Sequence, residues 1–336
     1  MLSEKRKVGS VSVIVPLYNE EESVHELYTE LTEVLKPLGR QYELLFVDDG
    51  SKDQTVKNLV KHSLGDTSVR IIQFRRNFGQ TAAMAAGLDH SRGDIVFTMD
   101  GDLQNDPSEI PRMIAKLEEG FDMVAGWRKD RQDKFISRRL PSMIANWIIS
   151  KSTSVELHDY GCSLKAMTGE LARSIKLYGE MHRFIPALAA EVGARICEIP
   201  VNHRSRKHGV SKYGISRTIR VVLDLITVKF LLGYSKRPIH LFGTAGVLTG
   251  GLGAILLSMM MYQRFFLGVP MGARPLLALA VMMVIIGLQF LCFGLLAEVL
   301  ARTYHESQDK RIYTVRKMIE HHNDELAPTP SKRALG

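Results

Sequence analysis

Two carboxylates stand one residue apart in the segment Met99-Asp100-Gly101-Asp102-Leu103-Gln104. The segment continues the apolar run 94–99, so both carboxylates are predicted to lie on a loop just beyond a strand. Carboxylate oxygens are ligands that hard divalent cations prefer, and such a cation can neutralise a departing diphosphate. An isolated Asp-x-Asp pair is equally typical of a turn or a helix cap. Other segments of the chain must therefore support the interpretation that this pair binds a metal.

Two further polar segments follow earlier strand-like runs. Pro16-Leu17-Tyr18-Asn19-Glu20 comes after the run 11–15, and Asp48-Asp49-Gly50-Ser51 comes after the run 43–47. Open α/β sheets bind ligands at the carboxyl ends of their strands. We therefore expect these segments and the Asp100 loop to line one pocket, in the order that a nucleotide-sugar needs.

A second set of candidate residues is basic. Arg128 follows the run 123–126, Arg138 and Ser142 are four residues apart on one face of a predicted helix, and the segment 206–212 is a glycine-containing basic loop. Guanidinium forks match phosphate oxygens, and a lysine supplies a point charge. These residue types indicate phosphate ligands.

The elements that must position these residues follow from hydrophobic periodicity. Four short β-branched runs, 11–15, 43–47, 69–72 and 94–99, alternate with stretches of helical spacing. This alternation predicts an α/β domain with a parallel sheet. We predict the following organisation: an N-terminal tail at 1–10, a catalytic domain at 11–215, amphipathic interfacial helices at 216–237, two membrane helices within 238–300 and a cytoplasmic tail at 301–336.

The C-terminal third is predicted to hold a membrane hairpin. Residues 239–262 and 276–297 are nearly free of charge and long enough to cross about 30 Å of hydrocarbon. Basic residues before the first span and after the second outnumber Arg264 and Arg274, which we assign to the connecting loop. By the positive-inside bias both termini are cytoplasmic, and the tail after Tyr313 is predicted to be loosely ordered.

Composition narrows the classes of function. The net charge of +8 suits an anionic membrane, a phosphorylated ligand or nucleic acid. The charge is not concentrated with aromatic residues as nucleic-acid binding requires, so we predict no nucleic-acid partner. The three widely spaced cysteines argue against a disulfide framework.

These segments resemble those of the family 2 glycosyltransferases. The match rests on Asp100-Gly101-Asp102-Leu103-Gln104 and Asp159-Tyr160-Gly161-Cys162, and it extends from residue 11 to about residue 305. The resemblance is to the polyprenyl-phosphate branch, which includes dolichol-phosphate mannose synthase, the GtrB-type glucosyltransferases and the aminoarabinose transferase ArnC. It implies a GT-A fold, that is, a Rossmann-like nucleotide-sugar domain, here followed by a C-terminal two-helix transmembrane hairpin.

The resemblance also implies roles for individual residues. The base and ribose of the donor would be held by Pro16, Tyr18, Glu20 and Asp48. Magnesium or manganese on the donor diphosphate would be arranged by Asp100, Asp102 and Gln104. The donor pyrophosphate would be bound by Arg206, Ser211 and Lys212, and the acceptor phosphate by Arg128, Arg138 and Ser142. The residues expected to act in catalysis are Asp102, Asp159 and Arg206.

The general base is left open by the sequence. Some members of this branch carry an aspartate where this chain has Cys162, to which we assign no catalytic role. A phosphate monoester has a second pKa of about 6, so the acceptor is already largely a dianion at neutral pH. Asp159 is therefore either the base or a residue that orients arginines.

Together these features predict a metal-dependent, inverting transfer of one sugar to a polyprenyl phosphate. We expect a UDP-sugar donor and an undecaprenyl acceptor. The protein is expected to be a multi-pass protein of the bacterial inner membrane with its catalytic domain in the cytoplasm, and homo-oligomers are compatible with this arrangement. One alternative is an inactive membrane scaffold with the same fold. Another is a processive polysaccharide synthase, although neither Trp127 nor Trp147 lies in the Gln-x-x-Arg-Trp motif typical of that class.

Overall fold

The structure is a computed structural model that describes residues 9–129, 157–177, 181–205, 238–268, 270, 275–307 and 313–320. The chain divides into two compact units, one of residues 1–221 with 311–336 and one of residues 222–310. Several predicted features lie outside the described residues: Arg138, Ser142, Arg206, Ser211, Lys212 and the predicted interfacial segment 216–237.

In the first unit, strands and helices alternate as the periodicity predicts. The strands are β1 (Ser10–Leu17), β2 (Gln41–Asp48), β3 (Val69–Phe74), β4 (Ile95–Thr98), β5 (Met123–Trp127), β6 (Lys165–Thr168), β7 (Ile196–Pro200) and β8 (Val315–Ile319). The helices are α1 (Val24–Leu35), α2 (Thr55–Gly65), α3 (Gln80–His90), α4 (Ile110–Glu118), α5 (Gly169–Ser174) and α6 (Ile185–Glu191). Short 3₁₀ turns occur at Lys36–Leu38, Pro107–Glu109 and Met181–Phe184.

The strands form one eight-stranded sheet in the order β7-β5-β6-β4-β1-β2-β3-β8. β1 pairs in parallel with β2 and β4, and β2 pairs in parallel with β3, so the four predicted runs form a parallel sheet. The complete sheet is mixed, because β6 runs antiparallel to β4 and β5, and β8 runs antiparallel to β3. The carboxyl ends of β1, β2 and β4 therefore meet at one edge, where the polar segments follow.

The core lies between this sheet and the helices that cover it. β1 has five consecutive buried residues, which is the pattern of a strand covered on both faces. α1 buries Val24, Leu27, Leu31 and Leu35 along one face. α3 lies close to β1, because a Cβ on Gly87 would come within 2.2 Å of Ile14 Cγ2.

The C-terminal segment 313–320 belongs to the sheet, so the prediction of a loosely ordered tail is wrong for these residues. β8 pairs residue by residue with β3, for example Ile71 with Ile319. The buried Arg70 bonds to Glu43 at 2.5 Å and to Glu320 at 2.7 Å. Tyr313 stacks on Phe74 with ring centroids 5.3 Å apart. The strand has little apolar alternation of its own, and it forms because β3 offers it a free edge.

The second unit consists of two long helices, α7 (Pro238–Leu267) and α8 (Pro275–Ser307). Both contain stretches long and apolar enough to cross a membrane, Phe242–Leu267 and Pro275–Ala297, which overlap the predicted spans. Their apolar side chains are largely exposed, as a lipid-facing surface would be; Phe265 and Phe266 are each 75% exposed. Two boundaries differ from the prediction: Arg264 lies in the last turn of α7, and α8 continues past residue 300.

Glycines allow α7 and α8 to approach each other closely. A Cβ on Gly287 would come within 2.5 Å of the Gly250 Cα and 2.7 Å of the Gly246 carbonyl oxygen. A Cβ on Gly253 would lie 2.8 Å from the Ala280 carbonyl oxygen. Small residues at helical spacing are typical of helix pairs in membranes, because they let backbones touch.

Candidate active site

The loop after β4 holds the two predicted metal carboxylates. Asp100 and Asp102 are both half-buried. The Asp100 backbone N–H donates to Asn105 Oδ1 at 3.1 Å, and Gln80 Nε2 donates to Asp100 Oδ1 at 2.7 Å. The turn is tight, since Leu103 has a positive φ of 62° and a Cβ on Gly101 would meet Leu17 at 2.2 Å. The loop therefore presents both carboxylates in a fixed arrangement.

The charge of this loop suits a cation. Burial raises the pKa of Asp100, and the neighbouring charge of Asp102 raises it further. A divalent cation would relieve that repulsion. Among the described residues there is no group of three or more His, Cys, Asp or Glu side chains that could enclose a metal. Two carboxylates nevertheless fit a cation whose other ligands are phosphate oxygens and water.

Gln104, the third predicted metal ligand, forms hydrogen bonds with Asp102 and with Arg204 in this structure. Its backbone N–H donates to Asp102 Oδ1 at 3.2 Å. Its side-chain Nε2 donates to the Arg204 backbone carbonyl oxygen at 3.5 Å, and its backbone carbonyl oxygen accepts from the Arg204 backbone N–H at 2.9 Å. In this arrangement Gln104 joins the carboxylate loop to the segment 201–205.

The residues predicted to contact the nucleoside lie at the end of β1 and on the loop after it, beside the loop after β2. Pro16, in the last part of β1, and Tyr18 and Glu20, on the loop after it, are half-buried. The Asn19 N–H donates to Ser51 Oγ and the Lys52 N–H donates to Asn19 Oδ1, both at 2.9 Å. These bonds hold the two loops together at the shared edge of the sheet.

Asp48, which is predicted to hold the base and ribose of the donor together with Pro16, Tyr18 and Glu20, is enclosed by its own turn. Its side chain is fully buried, and both carboxylate oxygens accept from the Ser51 N–H, at 3.2 and 3.3 Å. Burial raises the pKa of Asp48 and outweighs these hydrogen bonds, which lower it. Asp48 thus braces the turn, and it offers no open carboxylate to a ligand in this structure.

Asp49 positions a loop that sequence reasoning missed. Its two carboxylate oxygens accept from the N–H groups of Phe78 and Gly79, at 2.7 and 2.9 Å. This contact fixes the start of α3 and hence Gln80, which bonds to Asp100. A glycine at the end of the segment between β3 and α3 is the signal that could have indicated such a turn.

Arg128, a predicted acceptor ligand, forms a two-point ion pair with Asp159. Its Nε and one terminal nitrogen donate to the two Asp159 oxygens at 2.6 and 2.9 Å. The side chains are only 13% and 10% exposed. Burial lowers the pKa of Arg128, but the hydrogen bond and charge of Asp159 outweigh it and raise the pKa above its ordinary value.

Asp159 is held in turn by Glu198 on β7. The Glu198 carboxylate accepts from the N–H groups of His158 and Asp159, at 3.0 and 2.9 Å. One Asp159 oxygen also accepts from the Gly161 N–H at 3.1 Å. Both oxygens of Asp159 are therefore engaged, and the geometry favours the role of orienting Arg128 over that of a base.

Cys162 is fully buried, and burial raises the pKa of its thiol to about 11. At neutral pH it is a packing residue with a protonated thiol. The structure gives it no part in nucleophilic chemistry.

A single side chain joins the two most specific motifs. Asn105 Oδ1 accepts from the Asp100 N–H at 3.1 Å and from Ser163 Oγ at 2.8 Å. Thr98 Oγ1 donates to the Ser163 carbonyl oxygen at 2.9 Å. The loop after β4 and the segment Asp159-Tyr160-Gly161-Cys162 therefore belong to one hydrogen-bonded site.

The segment that precedes the predicted basic loop in sequence lies beside this site. Arg204 bonds to Glu30 at 2.7 Å and to Asp106 at 3.0 Å, while Asn202 Nδ2 donates to Asp106 Oδ2 at 2.8 Å. These contacts fix the chain at residue 204, next to Gln104, immediately before the segment 206–212. That segment itself lies outside the described residues.

Comparison with known proteins agrees with this geometry. Residues 12–176 match the model of the glycosyl transferase family 2. The dodecaprenyl-phosphate galacturonate synthase of Rhizobium johnstonii is 45% identical over 92% of this chain and 93% of its own length. The chain belongs to glycosyl transferase family 2. An undecaprenyl-phosphate 4-deoxy-4-formamido-L-arabinose transferase of Edwardsiella ictaluri is 37% identical over 95% of this glycosyltransferase and 97% of its own length.

Solved structures show that this glycosyltransferase has the GT-A fold. Mannosyl-3-phosphoglycerate synthase from Rubrobacter xylanophilus aligns with a TM-score of 0.54 at 17% identity, over 66% of this chain and 74% of its own. Glucosyl-3-phosphoglycerate synthase from Mycobacterium tuberculosis, solved in complex with Mn²⁺, UDP and phosphoglyceric acid, aligns with a TM-score of 0.52 at 18% identity, over 67% of this chain and 79% of its own. The likeness is one of fold.

Of the predicted site residues in this glycosyltransferase, the described ones fall into two groups at the carboxyl edge of the sheet. Pro16 and Asp48 stand at the ends of β1 and β2. The loops after β1 and β4 carry Tyr18, Glu20, Asp100, Asp102 and Gln104, and Arg128 and Asp159 lie together beyond β5. The residues that sequence reasoning missed are those that connect or support these groups: Gln80, Asn105, Ser163, Lys165 and Glu198.

Proposed function

We propose that this glycosyltransferase moves one sugar from a nucleotide-sugar to the phosphate of a polyprenyl phosphate. The observation that carries the proposal is the Asn105 bridge, because it ties the carboxylates suited to a donor diphosphate to the segment that holds Arg128. One of the two relatives is named as a synthase of dodecaprenyl-phosphate galacturonate, and the other as an undecaprenyl-phosphate sugar transferase. Two membrane-length helices suit a lipid acceptor.

On the donor side, Asp100 and Asp102 would hold a divalent cation, magnesium or manganese. When bound, that cation supplies charge that stabilises the departing nucleoside diphosphate. Tyr18 and Glu20 would contact the nucleoside, and Gln104 would keep the carboxylate loop against the segment 201–205. Arg206, Ser211 and Lys212 are proposed to bind the pyrophosphate, where arginine is most effective as charge builds up during transfer.

On the acceptor side, Arg128 would bind the lipid phosphate, with Arg138 and Ser142 as further proposed ligands. A phosphate monoester is largely dianionic at neutral pH, because its second pKa is about 6. Its oxygen can attack the anomeric carbon without losing a proton, so orientation contributes more than a general base does. Asp159 fits this scheme as the residue that holds Arg128 in position. The attack from the opposite side of the leaving group would invert the anomeric centre.

The donor is proposed to be a UDP-sugar with a polar substituent on its ring. The two relatives are named for galacturonate and for 4-deoxy-4-formamido-L-arabinose. We propose an undecaprenyl-type acceptor and a location in the bacterial inner membrane, with both termini and the catalytic unit in the cytoplasm. The basic residues that flank the two spans support this orientation.

The experiment is a transfer assay with membranes that contain the full chain. Membranes are incubated with undecaprenyl phosphate, Mn²⁺ and separate radiolabelled UDP-sugars, including UDP-galacturonic acid, and lipid-linked label is extracted. Asp102→Asn should lose most of the label, since an amide is a poor partner for a cation and the loss is worth several kcal/mol of the barrier. Chelator should have the same effect on the parent protein.

The matched control is Asp122→Asn, which changes a carboxylate paired with Arg195 at the start of β5. It should transfer like the parent. Near-parental turnover by Asp102→Asn would contradict the proposed metal site. Absence of label from every donor, with folded protein bound to UDP, would instead favour the inactive scaffold, and long polymeric product would favour a processive synthase.

A further inference from the structure

Lys165 is the one buried lysine among the described residues, with 2% of its surface exposed. It begins β6, where it pairs with Thr98 of β4 and Ala125 of β5, in the middle of the sheet. Its ammonium donates to the Cys162 carbonyl oxygen. A buried cation carries a large desolvation penalty, and an apolar side chain would fill the same space without it. The lysine is therefore expected to serve a purpose beyond packing.

The charged groups around Lys165 come from both halves of the site. Burial lowers the pKa of Lys165, and Arg128 lowers it further, whereas Asp159 and Asp100 raise it. In return, the charge of Lys165 lowers the pKa of Asp100 against the effect of burial. The strand register agrees with this, because Thr98 and Ala125, which flank Lys165 in the sheet, stand two residues before Asp100 and three residues before Arg128.

We propose that Lys165 is a positioning residue that supplies a fixed positive charge behind the acceptor-phosphate site. The inference rests on the proposed function. Arg128 is neutralised by its ion pair with Asp159. Asp100 and Asp102 together would offset a divalent cation. Among the described side chains, Lys165 has no carboxylate at hydrogen-bond distance, since its bond goes to an uncharged carbonyl. Its charge is therefore available to act on an incoming phosphate dianion.

Lys165 does not touch the reacting atoms in this scheme. It is enclosed by strands, and its direct hydrogen bond is to the carbonyl of Cys162, in the segment that also carries Asp159 and Ser163. Its charge would act on the acceptor phosphate through the electric field of the ammonium. Its hydrogen bond would also help to fix the geometry of the segment that carries Asp159. A buried charge acts over such distances more strongly than an exposed one, because water screens it less.

Three substitutions separate the charge from the hydrogen bond. Lys165→Gln keeps a donor for the Cys162 carbonyl and removes the charge, whereas Lys165→Arg keeps the charge and changes the shape. The matched control is Lys116→Gln, which removes an exposed lysine paired with Glu119 on the surface near the end of α4. All are made in the full chain, and folding is checked by thermal unfolding.

The measurements are the KM for undecaprenyl phosphate at saturating donor, kcat, and the Kd for UDP with Mn²⁺ in the absence of lipid. Lys165→Gln should raise the acceptor KM about tenfold or more, with the UDP Kd changed less than about twofold. Lys165→Arg should stay within about threefold of the parent acceptor KM, and Lys116→Gln should match the parent.

Equal increases in the acceptor KM and the UDP Kd for Lys165→Gln would overturn the proposal, as would an unchanged acceptor KM. An acceptor KM raised tenfold by Lys165→Arg would also overturn it, because the role would then be one of shape. If Lys165→Gln does not fold, Lys165→Met, which removes the charge and fills the same apolar space, replaces it and is judged by the same thresholds. Failure of the proposed function would be recognised separately, since the parent protein would then transfer no sugar to the lipid.

Discussion

The ion pair between Arg128 and Asp159 allows a sharp test, because Asp159→Asn changes one charge and almost no volume. The pair has two hydrogen bonds of 2.6 and 2.9 Å, and its side chains are 13% and 10% exposed. Removing one partner of a buried pair costs about 3–5 kcal/mol, because the other charge is left without compensation. Asparagine can still accept from the Gly161 N–H, so we expect a loss near the lower limit, about 3 kcal/mol.

This loss has two measurable consequences. For a catalytic unit of this size, about 3 kcal/mol corresponds to a decrease in Tm of about 6–12 °C. The acceptor KM should rise about tenfold, since Arg128 loses the partner that orients it, while UDP binding should change little. The assay combines thermal unfolding of the purified protein with transfer kinetics in which donor and acceptor are varied separately.

Asp122→Asn is the control for both measurements. Asp122 also pairs with an arginine, Arg195, but the distance is 3.7 Å and the Arg195 side chain is 61% exposed. An exposed pair of this kind is worth about 0–1 kcal/mol. If Asp159→Asn kept the parental Tm and acceptor KM while kcat fell more than about a thousandfold, Asp159 would be a general base and the reasoning above would be refuted.

Two further predictions concern the helix pair and the C-terminal strand. Gly287→Ala should weaken the pairing of α7 and α8 by about 1–3 kcal/mol, measured by protease resistance in detergent, because its Cβ would meet the Gly250 backbone; Gly251→Ala, which has open space around it, should have no effect. Glu320→Gln should lower the stability of the catalytic unit by about 1.5–3 kcal/mol through its bond to Arg70. Burial raises the pKa of Glu320, but Arg70 and Arg92 lower it overall, so this contribution is present above the ordinary value of 4.5 and is lost as the pH falls below it. Acid unfolding curves that were identical for the parent and Glu320→Gln would contradict the second prediction, and equal protease resistance of the two glycine variants would contradict the first.

The sequence by itself determined the features that depend on local pattern. Short apolar runs located β1 to β4, and turn residues placed Asp100 and Asp102 just after β4. Two long uncharged stretches located α7 and α8. Such features can be read from the chain because strand alternation and membrane-length hydrophobicity involve residues that are neighbours in sequence.

Only the tertiary structure decided which distant residues share the site. Arg128 and Asp159 are 31 residues apart, and their ion pair depends on Glu198, which comes from another strand. Lys165 shows no sign of burial in its local sequence, and β8 becomes a strand only because β3, more than 200 residues earlier, offers it an edge. The burial of Asp48 likewise depends on the turn that encloses it, which its local sequence does not reveal. The physical reason is the same in each case. Pairing and burial depend on which elements the topology makes neighbours, and the hydrophobic periodicity of a single segment does not say which distant segment it will contact.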